Sequence, residues 1–326
     1  MKEVHNLDLL RASAVLFVLF DHTALYVGIR SIGALDMEWL GRLGVLFFFV
    51  HTCCVLMMSL ERHRGKGFFA HFYLRRIFRI YPLAVAAVLA TMVHDIGRLN
   101  AWGWAANFLL VQNLTYSNNA FTALWSLPLE VQMYVLLPFC FLLARRLKSV
   151  WPLLALWCSS VALAFLQPHI TGRASLLRFI PCFLPGVISY VLFIRNTAKL
   201  PAWLWPVTIA TLTVGFEMYP NWEWSAWLVC LALGLTMPLF RQISNTNINA
   251  VALNVAKYSF GIYLSHTLLL AGMRPTFKTL PLYLLAVAVV SVATYRLIEQ
   301  PMISLGNRML RPATARKLTE EKLAKV

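Results

Sequence analysis

Residues 8–22 read D-L-L-R-A-S-A-V-L-F-V-L-F-D-H. Between Arg11 and Asp21 the only polar side chain is Ser13. Extended over residues 7–29, the stretch approaches the roughly 20 residues at ~1.5 Å each that carry a helix across ~30 Å of hydrocarbon. Similar apolar stretches recur near 39–61, 82–95, 124–144, 150–166, 175–194, 201–218, 222–240, 250–272 and 280–300. Those at 82–95 and 150–166 are short and draw on flanking residues. Lipid offers no partner for an open strand edge, and the strict alternation of a membrane barrel is missing, so the segments read as helices. The expected fold is all-α: a polytopic transmembrane bundle of about ten spans over residues 1–305, followed by a basic tail at 306–326.

Composition agrees. Of 326 residues, 60% are hydrophobic and 13% charged, where a soluble domain carries about 25% charge. The first segment holds Asp8 and Arg11 early, and no small-residue cleavage site follows it, so it reads as a retained span. The six cysteines all sit in apolar stretches without a C-x-x-C pair, which predicts neither a metal site nor a disulfide framework.

The formal charge is +16. Its distribution excludes a nucleic-acid surface. Arg62, Arg64, Lys66, Arg75, Arg76 and Arg79 fall between the second and third spans, and Arg145, Arg146 and Lys148 follow the fourth. Arg195 and Lys199 follow the sixth, Arg241 the eighth, and Arg311, Arg316, Lys317, Lys322 and Lys325 lie in the tail. Alternate loops carry only scattered bases. This positive-inside pattern predicts both termini in the cytoplasm. Residues 62–80 mix bases with aromatics, as a helix lying on the cytoplasmic interface does. Residues 97–122 are expected to form an outer loop with a short helix.

An ionisable residue inside a span is costly and marks a functional site by default. Arg11 and His22 lie eleven positions apart, about three turns and roughly 16 Å of depth along one helical face. Histidine suits proton transfer near neutral pH. Asp21 points about 100° away around the helix. In the fourth span, L-W-S-L-P-L-E-V-Q-M-Y at 124–134, Glu130 reaches a depth like that of His22 and could orient its imidazole. A structural ion pair is the plainer alternative, and Pro128 is expected to kink this helix. Arg75, Arg76 and Arg79 suit phosphate groups, although positive-inside charge alone accounts for them as well. His266 lies in the ninth span, and Arg296 and Glu299, three apart, are expected to pair at the end of the tenth.

Together these motifs resemble acyltransferase family 3, the bacterial membrane O-acyltransferases. The resemblance runs through D-L-L-R-A-x-A with His22, F-F-F-V at 47–50, R-R-I-F-R-I-Y-P at 75–82, L-W-S-L-P-L-E-V-Q-M-Y at 124–134, Y-S-F-G-I-Y-L-S-H at 258–266 and Y-R-L-I-E-Q-P at 295–301. Where many members continue with Ser-Gly after F-F-x-x, this chain has His51-Thr52. The resemblance implies transfer of an acyl group, usually acetyl, from acyl-CoA as co-substrate to a hydroxyl. The acceptor it implies is a carbohydrate or a lipid-linked glycan at a bacterial inner membrane, and it implies no permanently bound cofactor or metal. It marks Arg11 and His22 as essential, Arg76 and Arg79 as its R-x-x-R, and Trp125, Ser126 and Glu130 as its tryptophan-serine-leucine segment with a downstream acid. The resulting expectation is His22 as general base, Glu130 and Arg11 beside it, and Arg75, Arg76 and Arg79 holding the donor. Trp125, Ser126 and His266 would contact substrate. A proton-coupled transporter or lipid flippase is the alternative, weakened by the lack of an internal repeat.

Overall fold

The computed structural model describes residues 4–310 except Ala34, Arg64, Lys66, Lys148, 172–174, 196–198 and 220–221; for 168–171 and 222 it describes the backbone alone. The helices are α1 (His5–Tyr26), α2 (Met37–Arg62), α3 (Phe68–His94), α4 (Ala101–Phe108), α5 (Leu127–Arg146) and α6 (Trp151–Thr171). They continue as α7 (Leu176–Arg195), α8 (Leu204–Met218), α9 (Trp222–Thr236), α10 (Thr246–Met273), α11 (Leu280–Thr294) and α12 (Gln300–Met309). A π-helical turn at Tyr295–Glu299 joins α11 to α12. The only described sheet is a hairpin, β1 (Ser31–Ile32) and β2 (Leu35–Asp36).

Each apolar segment forms a helix, but they are not equal. Six helical runs are long and apolar enough to cross a membrane: His5–Tyr26, Met37–Arg62, Phe68–His94, Thr122–Arg146, Leu176–Arg195 and Leu280–Met309. Trp151–Gln167, Leu204–Met218 and Glu223–Leu239 are apolar but shorter. The first half of α10 is too rich in asparagine, threonine and lysine to join the six. The chain is a multi-pass membrane protein, and six of the ten expected spans meet the criterion outright.

Several local expectations need correction. Residues 68–80 are not a separate interfacial helix. They form the first half of α3, continuous through Pro82, so Arg75, Arg76 and Arg79 stand on a spanning helix rather than in a loop. Pro128 does not kink α5; it sits in its first turn, where the missing N–H costs nothing, and Pro138 is the interior proline. Residues 300–309 form α12, whose Gly306 rests on the Phe78 ring. The tail bases Arg311, Arg316, Lys317, Lys322 and Lys325 lie outside the described residues, as do Arg64, Lys66 and Lys148.

Helix α2 is the most buried of the six and packs against α1, α5, α7 and α9. Small residues let backbones close in, the usual device where lipid gives no hydrophobic drive between helices. A Cβ on Gly44 would stand 2.5 Å from the Ala14 carbonyl oxygen of α1. Buried Asn6 pins the start of α1. Its amide donates to the Arg241 carbonyl at 3.0 Å, its oxygen accepts from Ile243 N–H at 3.1 Å, and its own carbonyl accepts from Trp205 Nε1 at 3.2 Å. Helix α1 is thereby held between α2 on one side and α10 on the other.

Candidate functional site

The N-terminal halves of α1, α3 and α10 and the C-terminal half of α2 meet at the end of the bundle where α1 begins. Charged and polar residues of these helices and of α5 converge there. Arg11, Arg76, Arg79, Ser126 and Glu130 line one cavity. Tyr134, Thr52, Ser259 and Tyr263 complete its polar wall. A second, wider opening shares Arg11, His51, Val55 and Arg79 with it and adds His5, Asp8, Arg62 and Lys257. The cavity therefore opens through a mostly basic mouth beside the start of α1.

Partners fix the cations. Arg11 Nε donates to Ser259 Oγ at 2.7 Å, across α1 and α10. Arg79 Nη1 meets buried Glu299 Oε2 at 2.6 Å. The expected Arg296–Glu299 pair does not form: the π-helical turn rotates Glu299 inward against α3, and no ion pair links it to Arg296. Arg76 differs from both neighbours. Its Nε is buried in the cavity wall and has no hydrogen-bond partner among the described residues. Arg75, one position round the helix, does not line the cavity.

Glu130 belongs to the arginines rather than to His22. It lies in the first turn of α5, lines the cavity with Arg11 and Arg76, and accepts from the Tyr134 hydroxyl one turn on. The expected Glu130–His22 pair is absent: Glu130 lines the cavity with Arg11 and accepts from Tyr134, whereas His22, three turns along α1 from Arg11, does not line it. Trp125 also departs from expectation. Its ring packs on Phe179, with centroids 5.7 Å apart, and does not line the cavity. Ser126 does, and its Oγ lies 2.7 Å from the Tyr263 hydroxyl.

His22 and His266 come together at the far side of this wall. Their rings stand edge to face with centroids 5.0 Å apart, and the His266 ring lies 6.1 Å from that of Tyr263. A path of ring contacts thus leads from the cavity through Tyr263 and His266 to His22, which does not itself line the cavity. Each imidazole folds back on its own helix. His22 Nδ1 lies 3.0 Å from the Val18 carbonyl and His266 Nδ1 lies 3.0 Å from the Ile262 carbonyl. A carbonyl only accepts, so each Nδ1 carries the hydrogen and each neutral ring keeps a basic Nε2. The Nε2 of His266, fully buried, has no hydrogen-bond partner among the described residues. The same holds for Nδ1 of buried His51, on the cavity wall.

Sequence reading missed Tyr134, Ser259, Tyr263 and Asp21. Tyr134 was within reach, being one helical turn from Glu130. Ser259 meets Arg11 across 248 positions and Tyr263 meets Ser126 across 137, which spacing cannot show.

A family model described as an acyltransferase domain matches residues 4–295. No curated protein and no solved structure matches the chain.

Proposed function

The chain belongs to this acyltransferase family, and on that premise we propose that it is a bacterial inner-membrane O-acyltransferase moving an acyl group, acetyl by resemblance, from acyl-CoA to a carbohydrate or lipid-linked glycan hydroxyl. The observation that carries the donor side is Arg76: a guanidinium whose Nε stands unpartnered in a cavity that opens through basic residues. A buried donor without an acceptor is costly, about 1–3 kcal/mol, and an incoming anion removes that cost. Phosphates of the donor meet Arg76 and the mouth, and the pantetheine arm occupies the cavity towards Ser126 and Tyr263. Arg79, held by Glu299, serves mainly to fix α3 against the π turn.

Chemistry follows at the histidine end of the wall. His22 Nε2 takes the proton of the acceptor hydroxyl while that oxygen attacks the thioester carbonyl. The tetrahedral intermediate then expels the coenzyme A thiolate as the C–S bond breaks. The proton on His22 returns to sulfur, so the free thiol and the acyl ester leave with no net change in the protein. Direct transfer needs only one base, and His22 has its Nδ1–H already committed to Val18.

The test is transfer from labelled acetyl-CoA in detergent, followed by mass spectrometry of surface glycans with and without the protein. Transfer in detergent is expected of an enzyme and not of a carrier, which needs a sealed membrane. His22→Ala should abolish transfer while insertion and helical content stay normal; full activity in that variant would remove His22 as the base.

A further inference from the structure

His22 has an acidic neighbour that helical geometry does not provide on its own. Adjacent residues on a helix point about 100° apart and do not face each other. Here Asp21 Oδ2 nevertheless lies 3.2 Å from His22 Nδ1. The His22 ring makes this possible by folding back onto its own helix: Nδ1, the ring nitrogen nearer the backbone, sits over the preceding turn at the Val18 carbonyl. That brings it within reach of the side chain one position earlier.

The carboxylate is held there by a notch. Asp21 is buried, 5% exposed, and it occupies the space beside Gly41 of α2 in which any Cβ would stand. A larger residue at 41 would drive the carboxylate out. Oδ1 of Asp21 has no hydrogen-bond partner among the described residues, so the group is not consumed by another structural contact. The charged and titratable groups around the pair are Glu38 and Arg42 of α2, joined to each other, Asp36 at the head of that helix, and His266 of α10. None of them meets His22 Nδ1.

We propose that Asp21, seated in the Gly41 notch, is a positioning residue for His22: its carboxylate flanks the Nδ1–H and stabilises the imidazolium formed when Nε2 takes the acceptor's proton. This rests on the reading of His22 as the base. It also replaces Glu130 in the role of acid partner. No covalent step is added. The proton stays on Nδ1 throughout, because the Val18 carbonyl holds it even when the carboxylate is removed. A serine-protease aspartate that alone fixes the tautomer contributes about 10⁴-fold; sharing that duty with Val18 leaves Asp21 the charge alone, and a loss of about 10- to 100-fold in kcat is expected for Asp21→Asn.

Two readouts separate this from its premise. The first is the ¹⁵N spectrum of the His22 ring in the purified full chain in detergent, titrated with pH. A negative neighbour favours the protonated ring, so Asp21→Asn should move the His22 titration to lower pH. Gly41→Ala should move it the same way with every charge retained. The second is the pH–rate profile, where both variants should lower kcat and shift the acid limb to lower pH while KM for acetyl-CoA stays within about twofold. An unchanged His22 titration in both variants would overturn the pairing, whatever the kinetics. A shifted titration together with full activity of His22→Ala would uphold the pairing and overturn the base. Thermal unfolding of each variant identifies one that has lost its fold, and the other then decides.

Discussion

Three neighbouring arginines carry different partners, and that difference sorts their roles. Arg79 is bound by Glu299, Arg75 lies off the cavity, and Arg76 keeps an unpartnered Nε inside it. Arg76→Ala is therefore expected to raise KM for acyl-CoA by about 10- to 100-fold, the loss of one charge-assisted bond of ~1.5–3 kcal/mol, with kcat changed far less. Arg79→Ala strands a buried carboxylate and should instead destabilise the fold, by about 3–5 kcal/mol. Steady-state kinetics beside thermal unfolding distinguishes the two; equal KM effects would mean that the Glu299 contact opens on donor binding. Glu130 follows the same logic. With Tyr134 donating to it and Arg11 and Arg76 on the same wall, Glu130→Gln should lower the thermal stability and leave the pH–rate profile in place. A shifted acid limb would return Glu130 to the histidine.

At the scale of elements, α1 is the piece on which the site depends, since it carries Arg11, Asp21 and His22 on one rigid rod. Two features hold its register. Gly44 lets α2 approach the Ala14 carbonyl, and Asn6 ties its start to Arg241, Ile243 and Trp205. Asn6→Ala leaves the Arg241 carbonyl and the Ile243 N–H unpaired, while Trp205 keeps the backbone carbonyl, and should cost about 2–4 kcal/mol, read as a lower unfolding temperature in detergent with KM unaltered. Much of this scale was legible beforehand. Apolar run lengths placed most of the long helices, whereas the gathering of Arg11, Arg76, Arg79, Ser126 and Glu130 on one wall was not read from spacing, which set Glu130 at the depth of His22 and the two α3 arginines in a loop. Periodicity could not show that bases and aromatics at 68–80 continue into Pro82 as one helix, because a basic amphipathic stretch looks alike on and in a membrane. Nor could it show that Glu299 turns towards Arg79, since that depends on a π-helical turn rather than on a three-residue spacing. The Asp21–His22 contact was hidden by the assumption that neighbours on a helix never meet. It forms because the ring bends back to Val18.

The whole molecule has two chemically distinct ends. His5, Arg62 and Lys257 surround the mouth, beside the start of α1, with Lys257 resting over the Tyr258 and Tyr295 rings. The opposite end of α2 carries both signs: Asp36 at its head, whose N–H donates to Glu217, and Glu38, which pairs with Arg42. An anionic donor is attracted to the first end. We propose, from the loop charges of the sequence, that the mouth faces the cytoplasm, and this orientation is open to direct measurement. In a background where native cysteines such as exposed Cys158 are replaced, Lys257→Cys should react with an impermeant maleimide only in inverted vesicles. Gly33→Cys, in the hairpin between β1 and β2, should react only in intact cells. Acetyl-CoA should slow labelling at position 257 by several-fold and leave position 33 unaffected. Protection at position 33 instead would place the donor at the end opposite the mouth, and the route from Arg76 through Tyr263 to the histidines would then run the wrong way for acyl transfer.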